Sequence, residues 1–291
     1  MKLSNPLSFL LPVKGMIRMT RAWNLLIIVF TQYLTAIFLV ESRKDVLAFL
    51  VSSKLFLLSL SSALIAAAGY IINDYYDVKI DLINKPDRVV VGRAVKRRVA
   101  MMWHTALNIT GVLIGAYLSL KIGFFNLLSA ALLWLYSNQL KRMPLIGNLS
   151  VALLTGWAVY VVAVLFNSHN IMVLAFAGFA FAFTLIREVI KDIEDVKGDA
   201  TFGCRTLPVV YGIRPTKTMV YLFSLSFLLG MCSLAYRFAG DELTVFCSGL
   251  VAPLGLISFL LYKADTVAQY NKLSTYCKMI MLVGIISMVF F

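Results

Sequence analysis

The sequence has few charged residues, two histidines and four cysteines, and these shortages exclude several classes of protein. Only 14% of its 291 residues are charged, 60% are hydrophobic and the mean hydropathy is +0.86. A soluble domain has about 25% charged residues, so this composition is typical of a protein that lies in a membrane. None of the cysteines forms a CxxC pair. Neither a disulfide framework nor a zinc site is predicted.

The charge that is present is strongly positive, with 27 basic residues against 14 acidic ones and a net charge of +13. In a soluble protein this balance would suggest a nucleic-acid partner, but no aromatic and basic nucleic-acid module is visible. In a membrane protein, it is typical of basic cytoplasmic loops and of an anionic ligand. We therefore expect membrane lipid and an anionic ligand as partners, and no nucleic acid.

Apolar runs of about 18–25 residues, long enough to cross a bilayer as helices, recur along the whole chain. They predict an all-α fold, a polytopic membrane bundle of about nine transmembrane helices that forms a single domain over residues 1–291. The predicted spans are 22–40, 46–72, 99–120, 123–140, 146–166, 171–189, 218–236, 243–262 and 273–291. Two intervening segments are long and polar, about 73–98 and 190–217, and are here named the motif loops. Residues 1–15 are expected to lie at the membrane interface.

The basic residues predict the orientation of the spans. If the amino terminus is cytoplasmic, 22 of the 27 lysines and arginines lie on the cytoplasmic side and Lys54 lies within a span. The remaining four lie on the outer side: Arg43, Lys44, Lys121 and Arg237. Because basic residues concentrate on the cytoplasmic side of membrane proteins, both motif loops are expected to face the cytoplasm.

Most of the acidic residues lie in or beside the two motif loops, where one spacing occurs twice. Three aspartates follow the pattern D-x-x-D-x-x-x-D in each: Asp74, Asp77 and Asp81 in the first, and Asp192, Asp195 and Asp199 in the second. On a helix, these steps of three and four residues place the side chains on one face, within an arc of roughly 60°. Asn73 adds an amide oxygen four residues before Asp77.

Oxygen ligands without nearby histidine or cysteine favour Mg²⁺, which usually takes one or two carboxylates together with substrate phosphates. The basic residues around the acids would bind phosphate oxygens. Acids for a metal and bases for phosphate, at the mouth of an apolar bundle, fit an amphiphilic diphosphate. The plain alternative is a pair of solvated loops whose charges balance, and the repeated spacing argues against it.

The strings NDYYDVKID at 73–81 and NKPDR at 84–88 resemble the first aspartate motif of the UbiA superfamily of intramembrane prenyltransferases. The string KDIEDVKGD at 191–199 resembles the second motif. YSNQLKR at 136–142, with Gly147 and Asn148, is similar to the stretch that joins the family's fourth and fifth helices. Arg21 and Asn24 match the usual start of the first span. The resemblance covers nearly the whole chain.

This resemblance implies nine helices around a central cavity, capped on the cytoplasmic side by the motif loops, and Mg²⁺-dependent prenyl transfer. Two Mg²⁺ ions would be bound with the diphosphate by oxygen ligands from both motifs: Asn73, Asp74, Asp77, Asp192, Asp195 and Asp199. The expected diphosphate-binding residues are Arg21, Asn24, Arg88, Lys141 and Lys191. The expected catalytic residues are Asp77, Asp81, Asp195, Asp199 and Tyr136, the last near the reacting carbon.

Within the family, the stretch at 187–212 is most similar to the ether-lipid branch, which transfers a geranylgeranyl group to geranylgeranylglyceryl phosphate. A phosphate-bearing acceptor would also suit the basic run at 96–98, which otherwise flanks the third span as a stop-transfer sequence. The other acceptors that the family implies are aromatic quinone precursors and tetrapyrroles. We expect an isoprenyl diphosphate donor, a lipophilic or phosphate-bearing acceptor, and the cell membrane of a prokaryote.

Two further interpretations compete with prenyl transfer. A cation transporter could use the acidic clusters as an ion site, but transport acids typically lie at mid-membrane, where no carboxylate is predicted here. A CDP-alcohol phosphotransferase would need a DG-x-x-AR string, which does not occur in the chain. His104, inside the third predicted span, is interpreted as a packed, hydrogen-bonded group rather than a catalyst.

Overall fold

The computed structural model describes residues 15, 17–40, 46–84, 89–238 and 241–291. Regular structure in these ranges is helical, apart from one isolated bridge between Val91 and Val95. The α-helices, in chain order, are α1 (Ala22–Leu34), α2 (Val46–Leu50), α3 (Ser53–Asn84), α4 (Arg97–Leu118), α5 (Leu120–Asn138), α6 (Ile146–Phe166), α7 (Ile171–Glu194), α8 (Val196–Thr201), α9 (Leu207–Tyr211), α10 (Ile213–Phe238), α11 (Asp241–Lys263) and α12 (Val267–Ser287). A π-helix, Thr35–Val40, continues α1, and short 3-10 helices lie at Leu140–Arg142 and Met288–Phe290.

Within the described ranges, nine helices are long and apolar enough to cross a membrane, which confirms the predicted all-α membrane fold. The first span, Ala22–Val40, and the fifth, Ile146–Phe166, have the predicted boundaries. The predicted joint at 167–170 is also confirmed, because Asn167 ends α6 in the left-handed conformation and Asn170 accepts a hydrogen bond from Met172 N at the start of α7. The central cavity, the cytoplasmic cap and the interfacial position of residues 1–15 stay predictions, and residues 1–14 and 16 lie outside the described part.

The acids of both motifs lie largely on helices, as their spacing predicted, but the predicted second and sixth spans ended before these helices do. Helix α3 begins at Ser53 and continues through the first motif to Asn84, and α7 continues to Glu194 in the second. Charged residues end the apolar run, but they do not end the helix, because neither stretch contains a proline or glycine before the next break. The last span likewise starts earlier than predicted, at Val267.

The helices group into two compact units, the first of which comprises Met1–Tyr33 and Leu47–Gln139. Here α3 packs along α4 and α5, and the buried Asn126 of α5 joins all three. Its Nδ2 donates to Ser61 Oγ at 3.3 Å and to the carbonyl of Gly111 at 3.1 Å. The amide is therefore satisfied in an apolar interior, as a buried polar group must be.

The second unit comprises Leu34–Val46 and Leu140–Phe291, with α7 as its most buried helix. α7 packs against α6, α10 and α12. Phe176, Phe179 and Phe183 recur at steps of three and four, and they contact Phe227 or Phe246 from the neighbouring helices. This aromatic layer holds α7, and the second motif at its end, in a fixed position.

Two of the four free cysteines approach each other, which the sequence pattern did not indicate. The Sγ atoms of Cys232 on α10 and Cys247 on α11 lie 3.0 Å apart. The approach results from the α10–α11 hairpin, since the two residues are 15 positions apart.

We expect Gly123→Ala to destabilise the first unit. A Cβ at Gly123 would lie 2.7 Å from the Cα of Ala116, and this backbone contact can be relieved only by moving α4 and α5 apart. The cost of such overpacking is about 1–3 kcal/mol. Thermal unfolding in detergent should show a lower Tm. The matched control is Gly230→Ala, which has no atom within 4 Å of the added Cβ, and equal Tm values for the two variants would contradict the prediction.

Candidate active site

The first acidic cluster is a stripe along the end of α3. Asp74, Asp77 and Asp81 share one face of the helix and are all half-buried. Asn73 is also half-buried, beside them. Because the helix is unbroken from Ser53 to Asn84, the carboxylates are held at fixed intervals over about 10 Å.

Arg21, predicted to bind diphosphate, contacts this stripe directly. Its Nη2 donates to Asp74 Oδ1 at 2.9 Å, and its guanidinium lies over the ring of Tyr70, 4.8 Å from the centroid. Arg21 has a φ of 51°, in the left-handed region, and separates the helical residues 17–20 from the start of α1. Partial burial lowers the pKa of Arg21, but Asp74 and Tyr70 outweigh this effect and the pKa is raised overall. Arg21 therefore stays cationic at physiological pH.

The other predicted residues of the first unit lie on neighbouring helices. Asn24 is in the first turn of α1, and its N–H donates to the carbonyl of Arg21 at 2.7 Å. Tyr136 is half-buried in the last turn of α5. Arg97, in the basic run, donates to the carbonyl of Tyr75 at 3.3 Å. Arg88 lies outside the described residues.

The second acidic cluster extends from the last turn of α7 into the short helix α8. Two of its acids accept hydrogen bonds from neutral donors. Asn148 Nδ2 donates to Asp192 Oδ2 at 2.9 Å, and Thr206 Oγ1 donates to Asp199 Oδ2 at 3.3 Å. Asp195 stands at the junction of α7 and α8 and is half-buried. The sequence analysis assigned no role to Asn148 or Thr206. Asn148 could have been found from its place in the family-like stretch, whereas nothing in the sequence pointed to Thr206.

Lys141, predicted to bind diphosphate, lies in the 3-10 turn Leu140–Arg142 of the second unit. Gly147 packs directly against this turn, because a Cβ there would be 2.8 Å from the Cα of Lys141. The N–H of Arg205, in the loop after the second motif, donates to the carbonyl of Arg142 at 2.8 Å. The structure thus ties the turn that carries Lys141 to the loop beyond Asp199.

Lys191, the remaining predicted diphosphate ligand, is paired within α7. Its Nζ lies 3.2 Å from Glu188 Oε2, and Arg187 Nη1 donates to the other oxygen of the same carboxylate. Neither Arg187 nor Glu188 was predicted to belong to the site. The carboxylate of Glu188, one turn before Asp192, is therefore paired with two basic side chains.

The chemistry of the acids fits Mg²⁺ bound together with a diphosphate. Within the described residues, no three His, Cys, Asp or Glu side chains converge on one point, as a closed protein cage would require. Mg²⁺ does not require such a cage, because phosphate oxygens and water complete its shell. Acids spread along a helix can supply one or two carboxylate oxygens to an ion. Amide and hydroxyl donors lie beside two of these acids. The assignment of individual ligands stays a prediction.

His104 is a structural residue in this fold. Its Nδ1 lies 3.0 Å from the carbonyl of Ala68, and Asn108 is in hydrogen-bond range of the ring. The contact joins α4 to α3 and supports the packed, hydrogen-bonded interpretation of this residue.

Comparisons with known proteins agree on one family. Residues 18–282 match the model of the UbiA prenyltransferase family, a range that includes both motifs. The digeranylgeranylglyceryl phosphate synthase of Methanosphaera stadtmanae is 30% identical over 232 residues, which make up 79% of this chain and 84% of that protein. Several other curated synthases of the same name are matched over about three fifths of their length.

Solved structures share the fold at lower identity. A structure of digeranylgeranylglyceryl phosphate synthase in membranes is 22% identical, with a TM-score of 0.72 over 96% of this chain and 97% of that one. A UbiA homologue from Archaeoglobus fulgidus, bound to DMAPP and Mg²⁺, is 15% identical, with a TM-score of 0.73 over 94% of this chain and 99% of that one.

We expect Asn148→Leu to weaken the Mg²⁺-dependent binding of inorganic pyrophosphate. The substitution keeps the branched shape and the number of heavy atoms of the side chain but removes the N–H that orients Asp192, and losing such a supporting contact typically costs about 10–100-fold in affinity. Isothermal titration of the purified protein, with and without MgCl₂, measures the effect. Asn108→Leu, at a half-buried position where the amide is in hydrogen-bond range of His104, is the control. Equal affinities for the two variants would show that the contact with Asp192 does not matter.

Proposed function

Because the chain belongs to the UbiA prenyltransferase family, we propose that it transfers a geranylgeranyl group from its diphosphate to geranylgeranylglyceryl phosphate, forming an ether-lipid precursor. The observation that supports this acceptor is the 30% identity to a protein named digeranylgeranylglyceryl phosphate synthase, over 84% of the length of that protein. The family match supports the type of reaction, which is prenyl transfer.

Both aspartate motifs would take part in binding Mg²⁺ in this proposal. Asn73 and Asp77 of α3 would hold one ion, and Asp195 and Asp199 would hold the other. Bound Mg²⁺ would neutralise the charge that develops on the diphosphate. Asp74, Asp81 and Asp192 would support these ligands. Mg²⁺ bound beside DMAPP in the Archaeoglobus fulgidus homologue supports the proposal.

The basic residues would hold the diphosphate as a leaving group. Arg21 is kept cationic and aimed at α3 by Asp74 and Tyr70, and Lys141 is held on its 3-10 turn by the contacts of Gly147 and Arg142. Asn24, Arg88 and Lys191 would complete the set. Their N–H groups would donate to phosphate oxygens, so that the allylic C–O bond can break with its electron pair on the diphosphate.

Attack by the acceptor then completes the reaction. The hydroxyl oxygen of the glycerol forms a C–O bond to the allylic carbon and releases its proton, which gives an ether and free diphosphate. Tyr136, half-buried at the end of α5, would lie near the reacting carbon. Apolar surroundings would protect the electron-poor carbon from water.

The protein is an integral membrane protein, and we propose that the reaction takes place on the cytoplasmic side of a prokaryotic cell membrane. The excess of basic residues near the motifs supports this orientation. We further propose that residues 1–291 act as a single domain, since the family match runs across both units.

We expect Asp77→Ala and Asp195→Ala each to abolish Mg²⁺-dependent transfer from geranylgeranyl diphosphate. Each removes a carboxylate proposed to hold one ion, and the loss should exceed that of any single supporting residue. Product formation is followed by mass spectrometry on purified protein at saturating MgCl₂. Glu242→Ala, an exposed acid at the start of α11, is the control and should retain full activity. Full activity in either aspartate variant would overturn the assignment of that motif.

A panel of acceptors should show selective use of geranylgeranylglyceryl phosphate. An aromatic acid, a tetrapyrrole and the glycerol phosphate lipid are each offered with geranylgeranyl diphosphate, and the products are compared by mass. Transfer only to an aromatic acid or a tetrapyrrole would keep the family reaction and overturn the acceptor. Cation flux in proteoliposomes, with no transfer to any acceptor, would favour a transporter instead.

A further inference from the structure

Helices α7 and α12 run antiparallel, and their contacts place two basic residues opposite each other. Near one end, Asn271 Nδ2 of α12 donates to Glu194 Oε1 of α7 at 2.8 Å. Seven residues back along α7 is Arg187, and seven residues forward along α12 is Lys278. In an antiparallel pair these positions face each other, and the two positive charges do interact electrostatically.

The same register continues beyond these basic residues. The ring of Phe179 lies against Gly284, where an added Cβ would be 2.3 Å from the ring. A step of seven residues corresponds to about 10 Å of helix, so Arg187 and Lys278 lie well inside the end of the helix pair. Lys278 is the twelfth of the 24 residues in its span, Val267–Phe290. Lys278 was counted among the cytoplasmic basic residues, although it is the sixth residue of the predicted span 273–291.

This position carries an excess of positive charge. Glu188 pairs with both Arg187 and Lys191, and with Lys278 the four side chains have a net charge of +2. Asp192, one turn further along α7, is held by Asn148 and belongs to the proposed metal set. Ionised side chains within a membrane span are costly, and they generally mark the path or the binding site of a charged ligand.

Two buried hydrogen-bonding groups at the same place have no partner among the described residues. They are Oγ1 of Thr184 and Nε of Arg187, one turn apart on α7. Thr184 is 5% exposed, so bulk water does not replace the missing partner. A buried donor without an acceptor is unfavourable, and a ligand with acceptor oxygens would satisfy both groups.

We propose that Thr184, Arg187 and Lys278 form a binding site for the phosphate group of the lipid acceptor. This inference rests on the proposed function. A phosphate monoester carries a charge of about −1.5 to −2 and three acceptor oxygens, which match the net charge and the donors of this cluster. Lys278 is exposed on α12, so a ligand can reach the site.

The cluster is distinct from the aspartate motif on the same helix. At about 100° per residue, Arg187 and Asp192 point roughly 140° apart around α7. Arg187 shares a face with Glu194, which contacts α12, whereas Asp192 contacts Asn148 of α6. Arg187 and Asp192 therefore lie on different sides of one helix.

The test compares geranylgeranylglyceryl phosphate with geranylgeranylglycerol, the same acceptor without its phosphate. We expect Lys278→Met to lower the ratio of the two kcat/KM values by about 10–100-fold, the loss that corresponds to one hydrogen bond to a charged group. The KM for geranylgeranyl diphosphate should not change. Lys278→Arg, which keeps the charge, should retain most of the ratio. Lys272→Met, an exposed lysine on the same helix, should behave as the wild type.

Two measurements keep the test independent of folding and of turnover. Thr184→Val preserves the shape of the side chain, and it should lower the same ratio through loss of the hydroxyl alone. Binding of geranylgeranylglyceryl phosphate, measured by the shift in Tm in EDTA without donor, should be weaker in Lys278→Met than in Lys272→Met. Because EDTA removes Mg²⁺, this shift reports the phosphate cluster and not the proposed metal site.

Three outcomes would overturn the inference. An unchanged ratio in both Lys278→Met and Thr184→Val would remove the cluster from acceptor binding and leave the proposed function intact. A raised KM for the diphosphate donor, with the ratio unchanged, would assign the cluster to the donor. Failure of the wild-type protein to use geranylgeranylglyceryl phosphate would overturn the proposed function itself, and this failure is visible before any variant is made.

Discussion

Every backbone N–H and C=O inside a bilayer must be bonded within its own helix, and this constraint decides where polar chemistry can lie in this chain. Helices α3 and α7 satisfy it by continuing past their apolar stretches without a break. The continued turns of α3 carry Asp74, Asp77 and Asp81, which are thereby anchored by a buried apolar segment. Those of α7 carry Asp192, whereas Asp195 stands at the junction with α8 and Asp199 lies on α8. A loop of the same sequence would have to order several carboxylates against their mutual repulsion.

The helices fix the spacing of the acids, and neighbouring donors fix their orientation. Arg21 donates to Asp74, Asn148 to Asp192, and Thr206 to Asp199. The donor differs in each case: a cation, an amide and a hydroxyl. A hydrogen bond from a neutral donor orients a carboxylate without placing a positive charge beside it, and Asn148 and Thr206 position Asp192 and Asp199 in this way. Asp74, paired with a cation, is better suited to position Arg21.

The sequence predicted the membrane fold, nine spans and the two motifs because these depend on local properties, namely hydropathy and spacing. It misplaced the ends of α3 and α7, since the loss of hydropathy was taken as the end of the helix. It did not reveal the partnership of Thr206 with Asp199 or the approach of Cys232 to Cys247, because such contacts are made by folding. The predicted span 273–291 placed Lys278 near its start, whereas the observed span begins at Val267 and places this residue in its middle.

The unbroken course of α3 also limits how the gene can change. A substitution around the motif alters one side chain, but an inserted or deleted codon between Asp74 and Asp81 would turn every later residue of the helix by about 100°. The stripe would then be split between two faces. A replacement in this helix therefore changes one side chain, whereas a change in its length would change the positions of several acids at once.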